Sequence, residues 1–305
     1  MVEEIKKILS NSMETYTKNL NLIIPFILNA VVTGLLTVII IMGGFFYIFG
    51  SSLSSLENAH TPEQLILIIL PLISQHLSDI VLLIIIYFLI ATFFQSFFTA
   101  GAIGMAQKAT EAGRSELSTM MEAGKKNVVN LYLAQILVGL LALAGIVFIV
   151  PGAMKIDLSN FSLESNTGAV MLLKAGVLLW ALYAIIISLV LAVYSYALVI
   201  ENLGAVEGIT AGFGFFTKNK SDVFLLWLII GIIVIVLTFI GEVTRVVPVM
   251  NVIWQLINVL LSVLVIPPLT TLWWVRLYMS RTGKKIYFNE LLAHPNDLEK
   301  YKSDQ

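Results

Sequence analysis

Six long runs of apolar residues, none with a charged side chain near its middle, constrain this chain more than any other feature. They cover approximately residues 20–49, 80–106, 128–154, 175–200, 223–243 and 249–278. A hydrocarbon core about 30 Å thick takes roughly 20 residues of helix, so each run is long enough to cross it. Leu, Ile, Val and Phe each contribute about −0.3 to −0.6 kcal/mol at the centre of such a helix, against about +2.5 to +3.5 kcal/mol for one Lys, Arg or Asp. The expected fold is an all-α membrane protein with six transmembrane helices. They form a single polytopic membrane domain over 1–280, followed by a polar cytoplasmic tail over 281–305.

Composition points the same way. At 58% hydrophobic and 12% charged, the chain lies far from soluble proteins, where the shares are about 45–50% and 25%. A net charge of −1 supplies no basic field for phosphates, so no nucleic-acid partner is expected. Cysteine is absent, which excludes disulfides, thiolate metal sites and cysteine nucleophiles.

A seventh apolar run, at 65–73, is too short to span, contains Pro71 and reads as an interfacial or re-entrant piece. The first span is too long for the apolar region of a cleaved signal peptide, which is about 7–15 residues. Pro267 and Pro268 remove two backbone donors inside the sixth span, predicting a kink or broken turn whose freed carbonyls need other partners. Lys and Arg are distributed fifteen to three between the two sides, with only Lys155, Lys174 and Arg245 on the poorer one. The positive-inside rule then puts both termini in the cytoplasm of a multi-pass cell-membrane protein. Trp273, Trp274 and Tyr278 beside Arg276 suit the cytoplasmic interface.

Before spans 1, 3 and 5 the chain repeats a pattern. Thr17-Lys18-Asn19, Lys125-Lys126-Asn127 and Thr217-Lys218-Asn219 each close a polar segment. Aligned on the Asn, Leu9, Leu117 and Ile209 share one column and Met13, Met121 and Phe213 another, while Tyr16, Gly124 and Phe216 form a third that is broken by the glycine. Steps of four and three place such residues on one helical face. The segments 3–17, 114–125 and 205–217 therefore read as amphipathic helices on the cytoplasmic interface. One reading makes the chain three parallel pseudo-repeats, each an amphipathic helix plus two spans, related by an axis along the membrane normal. The other holds that any loop re-entering a membrane from its positive side acquires a Lys and a polar cap.

The stretch from Tyr196 to Lys220 joins an aliphatic helix end to Glu201, a small-residue turn, a helix and a Lys, and 97–127 is its earlier counterpart. In this organisation the chain resembles a group of uncharacterised six-helix prokaryotic membrane proteins related to the membrane domain of glycerophosphodiester phosphodiesterases. The resemblance implies an architecture rather than an activity. The soluble phosphodiesterase domain, with its His and metal-binding carboxylates, has no counterpart segment here.

Candidates for chemistry are few. His60 and His76 fall on the expected outer side and His294 in the tail, and no nucleotide-loop or His-Glu-x-x-His motif occurs, so no catalytic group, cofactor or metal site is expected. The deepest polar side chains are Asn29, Gln95, Gln135, Gln255 and Asn258, read as interhelical hydrogen-bond partners or as the lining of a solute path. Glu201 is placed to pair with Lys126 or Lys218, and Glu242 with Arg245 three residues on. Ala100 and Gly104 offer a close helix contact.

A non-enzymatic scaffold or assembly protein that interacts with membrane lipids, with a possible protein partner at the cytoplasmic face, fits these features. The alternative is a transporter or permease subunit working with a separate ATPase. A lipid-modifying enzyme ranks last. The absence of cysteine makes topology easy to test: single Cys probes at Ser54 and Asn160 should label from outside and one at Ser118 should not, the reverse pattern overturning the orientation.

Overall fold

The computed structural model describes residues 3–50, 69, 71, 73–155 and 167–286. The short run at 65–73 lies largely outside the described residues, as do His60, His294, the probe sites Ser54 and Asn160, and the tail beyond 286. Among the described residues there is no strand. Six helical stretches are long and apolar enough to cross a membrane: Leu20–Ile48, Leu77–Ala112, Leu117–Phe148, Thr167–Glu201, Lys220–Thr244 and Pro248–Arg281. The protein is an all-α, multi-pass membrane protein.

Helix α1 (Ile5–Lys18) leads through a 3-10 turn into α2 (Ile24–Phe49), the first span. The second span is α3 (Leu77–Ala112), α4 (Leu117–Leu143) with a 3-10 stretch at Ala144–Phe148 makes the third, and the short α5 (Val150–Ala153) follows it. The fourth is α6 (Thr167–Val190) continued by α7 (Tyr194–Glu201). Then come α8 (Ala205–Lys218), the fifth span α9 (Lys220–Thr244), and the sixth, made of α10 (Pro248–Leu260), a π turn at Leu261–Val265 and α11 (Ile266–Arg281).

Several helices outrun their apolar stretches. At 36 residues, α3 is about 54 Å long, well beyond what hydrocarbon requires. Apolar length sets what must lie in lipid, whereas capping sets where a helix stops. α3 stops at Gly113 (φ 76°) and α7 at Asn202 (φ 54°), both left-handed residues of the kind that end helices, and Gly283 (φ 70°) follows α11. The segment 114–125 is not a separate helix, because α4 runs unbroken from Leu117 through Asn127. Asn19 and Asn219, by contrast, take non-helical backbone angles and do separate α1 and α8 from the first and fifth spans.

Buried side chains concentrate at the end of the bundle where α3, α7 and α11 finish. Ile103, Leu198, Leu272, Val275, Leu277 and Met279 are essentially inaccessible there, together with Ile8 of α1 and Leu226 of α9. Elsewhere the spans are open. No residue of α10 is buried, and only Ala169 and Gly176 are buried in α6. Such apolar faces are what lipid tails cover.

Among the helix pairs of the packed end are α4 against α3, α8 against α7, α11 against α3, and α1 against α11. In the first two, small residues bring backbones together. A Cβ on Gly101 would meet Met120 Cγ at 2.6 Å, one on Gly104 would collide with Ala123, and one on Gly212 would stand 2.5 Å from Tyr194 Cα. Of the expected close pair, Gly104 is therefore part of the α3–α4 seam, and Ala100 is buried. Only one of the three aligned columns lies off the buried face of these helices: Tyr16 and Gly124 of the third column are buried, and Leu9, Ile209 and Phe216 are partly buried against the core. Met13, Met121 and Phe213 are exposed, while Ile8, Ser12 and Tyr16, then Met120, Gly124 and Asn127, then Gly208, Gly212 and Phe215 turn inward. Close backbone approach selects glycine at 124, 208 and 212, and Ile8, Tyr16, Met120 and Phe215 fill the inward positions beside the seams.

Gly104→Ala should lower thermal stability in detergent by about 1–3 kcal/mol, because the Ala123 backbone must shift. Gly231→Ala, with nothing within 4 Å of its added methyl, should be neutral or stabilising by up to about 1 kcal/mol.

Candidate functional site

The C-terminal turns of α11 carry Arg276, Tyr278, Ser280 and Arg281, of which three converge on Glu3 while Tyr278 reaches Glu201 and Arg281 also reaches Asp222. Arg276 donates from Nε to Glu3 Oε2 at 2.7 Å and from Nη2 to Glu3 Oε1 at 2.9 Å, a two-pronged pair whose side chains are 3% and 2% exposed. Asn11 Nδ2 donates to Glu3 Oε1 at 2.9 Å, the Glu3 amide donates to Ser280 Oγ at 2.9 Å, and Arg281 Nη1 donates to the Glu3 carbonyl at 2.7 Å. Glu3 is thus held through side chain, amide and carbonyl at once. Arg281 Nε also donates to Asp222 at the start of α9, at 2.7 Å.

Glu201, at the end of α7, accepts from the Tyr278 hydroxyl at 2.7 Å and lies 3.8 Å from Lys284 Nζ. Its expected partners Lys126 and Lys218 are not used. The reason is geometric: α11 returns to the same end of the bundle and puts its own donors beside Glu201. Glu242 and Arg245 do pair locally, at 2.9 Å, in an exposed setting.

The three repeat asparagines share one hydrogen bond. Asn19 Nδ2 donates to the Thr15 carbonyl at 2.9 Å, Asn127 to Ala123 at 3.1 Å and Asn219 to Phe215 at 3.0 Å, each four residues back. Asn19 does more: it donates to the Gly113 carbonyl at 3.0 Å and accepts from the Ser115 amide at 3.0 Å, clasping the α3–α4 turn to the end of α1. Lys18 pairs with Glu14 at 2.7 Å on the surface, whereas Lys126 and Lys218 are exposed.

The prolines of the sixth span are handled by α1. Pro268 has no N–H for the Leu264 carbonyl, and the Tyr16 hydroxyl supplies the missing donor at 2.7 Å. Burial pushes the Tyr16 phenol above its ordinary pKa, so it stays protonated and donating. The break appears as a π turn, after which the prolines sit in the first turn of α11.

Of the intramembrane amides, Gln135 accepts from Ser96 Oγ at 2.6 Å across the α3–α4 seam, and Asn29 accepts from Thr33 at 3.5 Å within α2. Gln255 donates to Asn251 at 3.3 Å, one turn before the half-buried Asn258, and Gln95 is exposed. These amides lie on α2, α3, α4 and α10, and among the described residues no hydrogen bond joins one of the five to another. Among the described residues no group of three or more His, Cys, Asp or Glu side chains is placed to hold a metal ion. His76 Nδ1 lies 3.0 Å from Asp79.

Sequence reasoning missed Glu3 and Arg276 as the centre of this arrangement. Arg276 counted only as one more cation at an interface, and nothing local marks a partner 273 residues away. The available signal was an arginine followed at once by more apolar and aromatic residues, which places it inside packing rather than beyond it.

The family model that matches, described as a domain of unknown function (DUF7847), covers residues 85–279. An uncharacterized protein of Archaeoglobus fulgidus is 28% identical, over 56% of this chain. The match takes in 58% of that protein, less than two thirds of its length. No solved structure matches.

Removing one partner of the buried pair leaves an uncompensated charge, so Arg276→Met or Glu3→Gln should each cost about 3–5 kcal/mol in detergent unfolding. Arg245→Met, at the exposed pair, should cost no more than about 1 kcal/mol, and comparing the three melting curves checks the ranking.

Proposed function

The chain belongs to the DUF7847 family, whose domain has no known function, and we propose that it is a non-enzymatic scaffold or assembly protein of the cell membrane that interacts with lipids. The observation carrying this reading is the division of the molecule. One end is tied by a buried ion pair between Glu3, just before α1, and α11 and by part-buried polar and ionic bonds from α11 to α7 and α9, while the spans leave their apolar faces open. The tied end suits a static platform for a protein partner, and the open faces suit lipid. In this proposal the tied end is cytoplasmic, as the Lys and Arg distribution supports.

The chain is also proposed to be built from three parallel units. Supporting this are the shared asparagine bond, the left-handed residues Gly113, Asn202 and Gly283 after spans 2, 4 and 6, and the corresponding helix pairs α4 with α3, α8 with α7 and α1 with α11. In the third pair, α11 with α1, no loop joins the helices, and the Glu3–Arg276 pair stands where a turn would be. Kinship with the membrane domain of glycerophosphodiester phosphodiesterases belongs to the same proposal, on the resemblance of Tyr196–Lys220.

A permease subunit is the second reading, favoured by the π turn and the paired prolines, since broken helices recur in transporters. Purification of the tagged protein from native membranes, with identification of what comes with it, separates the two. The scaffold reading expects retained lipids and a partner without ATPase activity. A stoichiometric ATPase would replace it with the permease reading, and a preparation free of both lipid and protein would remove it.

A further inference from the structure

A polar cleft of about 260 Å³ lies between the α3–α4 hairpin and the end of α7. Its walls are two facing stripes with helical spacing: Lys108 and Glu111 on α3, Glu122 and Lys126 on α4. Where the helices touch, at Gly104 and Ala123, the stripes converge, and the buried Val199 and Ile200 of α7 close the end. Two cations and two anions thus line one small space. Among the described residues none of the four forms an ion pair, and only Glu111 is engaged, accepting from Gln107 at 2.8 Å. Opposite charges lining one cleft without meeting leave room for a ligand that bridges them.

We infer that this cleft binds a zwitterionic headgroup, a phosphodiester carrying a primary amine, with Lys108 and Lys126 on the phosphate and Glu111 and Glu122 on the ammonium. The net charge of the four side chains is zero, which matches a zwitterion and disfavours a purely anionic ligand. Lysine ammonium groups are effective point-charge partners for phosphate. The volume is below the roughly 300 Å³ at which pockets for larger small molecules begin, so it suits a headgroup and leaves any lipid tails outside. The depth is right for a lipid: Lys126 and the buried Asn127 stand immediately before the apolar stretch of the third span. This inference deepens the lipid-interaction reading and rests on it.

The test uses the full-length protein in vesicles of equal phosphatidylethanolamine and phosphatidylglycerol, followed by extraction and quantification of the lipids that remain bound. Wild type should enrich phosphatidylethanolamine about two- to fivefold, the scale of one or two exposed ion pairs. The Lys108→Met/Lys126→Met double variant should lose that enrichment. Glu111→Gln/Glu122→Gln should instead turn the preference toward phosphatidylglycerol, a change of sign that unfolding would not produce. Lys125→Met, outside the cleft and exposed, should behave as wild type. Soluble glycerophosphoethanolamine should leave the lipid in place, whereas full displacement would support the same chemistry with the free headgroup as ligand. Bound lipid with no headgroup preference, or a preference unchanged by either double variant, overturns the inference while leaving the lipid-interaction reading intact. Failure of every variant and wild type to retain any lipid overturns that reading as well.

Discussion

The buried pair between Glu3 and Arg276 is the contact on which the rest of the packed end depends. A guanidinium taken out of water must find a carboxylate with matching geometry, and here both prongs are used while Asn11 takes up a further lone pair. Because Glu3 is also held through its amide and carbonyl, α1 is fixed against α11 at a single residue. The other contacts of α1 depend on that docking. Tyr16 lies where it can complete the proline-broken helix, and Asn19 lies where it can hold the α3–α4 turn.

Elsewhere the helices meet by shape. Glycines at 101, 104, 208 and 212 remove the side chains that would otherwise keep α3 from α4 and α7 from α8. In lipid there is no hydrophobic drive to bring two apolar helices together, so close van der Waals contact and hydrogen bonds such as Ser96 to Gln135 have to do it. This accounts for the uneven burial of the molecule. Where small residues and polar partners coincide the helices pack, and α10, which has no glycine and whose polar side chains Asn251 and Gln255 bond to each other, has no buried residue.

The number of spans was legible because each is a local property of about 20 residues. The disturbance at Pro267 and Pro268 was visible for the same reason, since the missing backbone donors there belong to the residue type. The face on which α1, α4 and α8 pack was legible only in part, through Tyr16, Gly124, Leu9, Ile209 and Phe216. The column of Met13, Met121 and Phe213 points away from the core, because the positions next to it are fitted to close contact and include Ser12, Met120 and Gly212. Glu201 shows the same limit: its acidity at a span end was evident, but its partner Tyr278 is 77 residues away.

By itself the sequence determined that six stretches are long and apolar enough to cross a bilayer and that most Lys and Arg lie before the first, between the second and third, between the fourth and fifth, and at the end of the sixth or after it, since the solvation of each stretch in hydrocarbon is set by that stretch alone. Only the tertiary structure decided which charges meet, that α1 closes against α11, and that Lys108, Glu111, Glu122 and Lys126 line one cleft without pairing. Those outcomes depend on where distant helices come to rest against one another, and packing of that kind is a property of the whole assembly of helices rather than of any window along the chain.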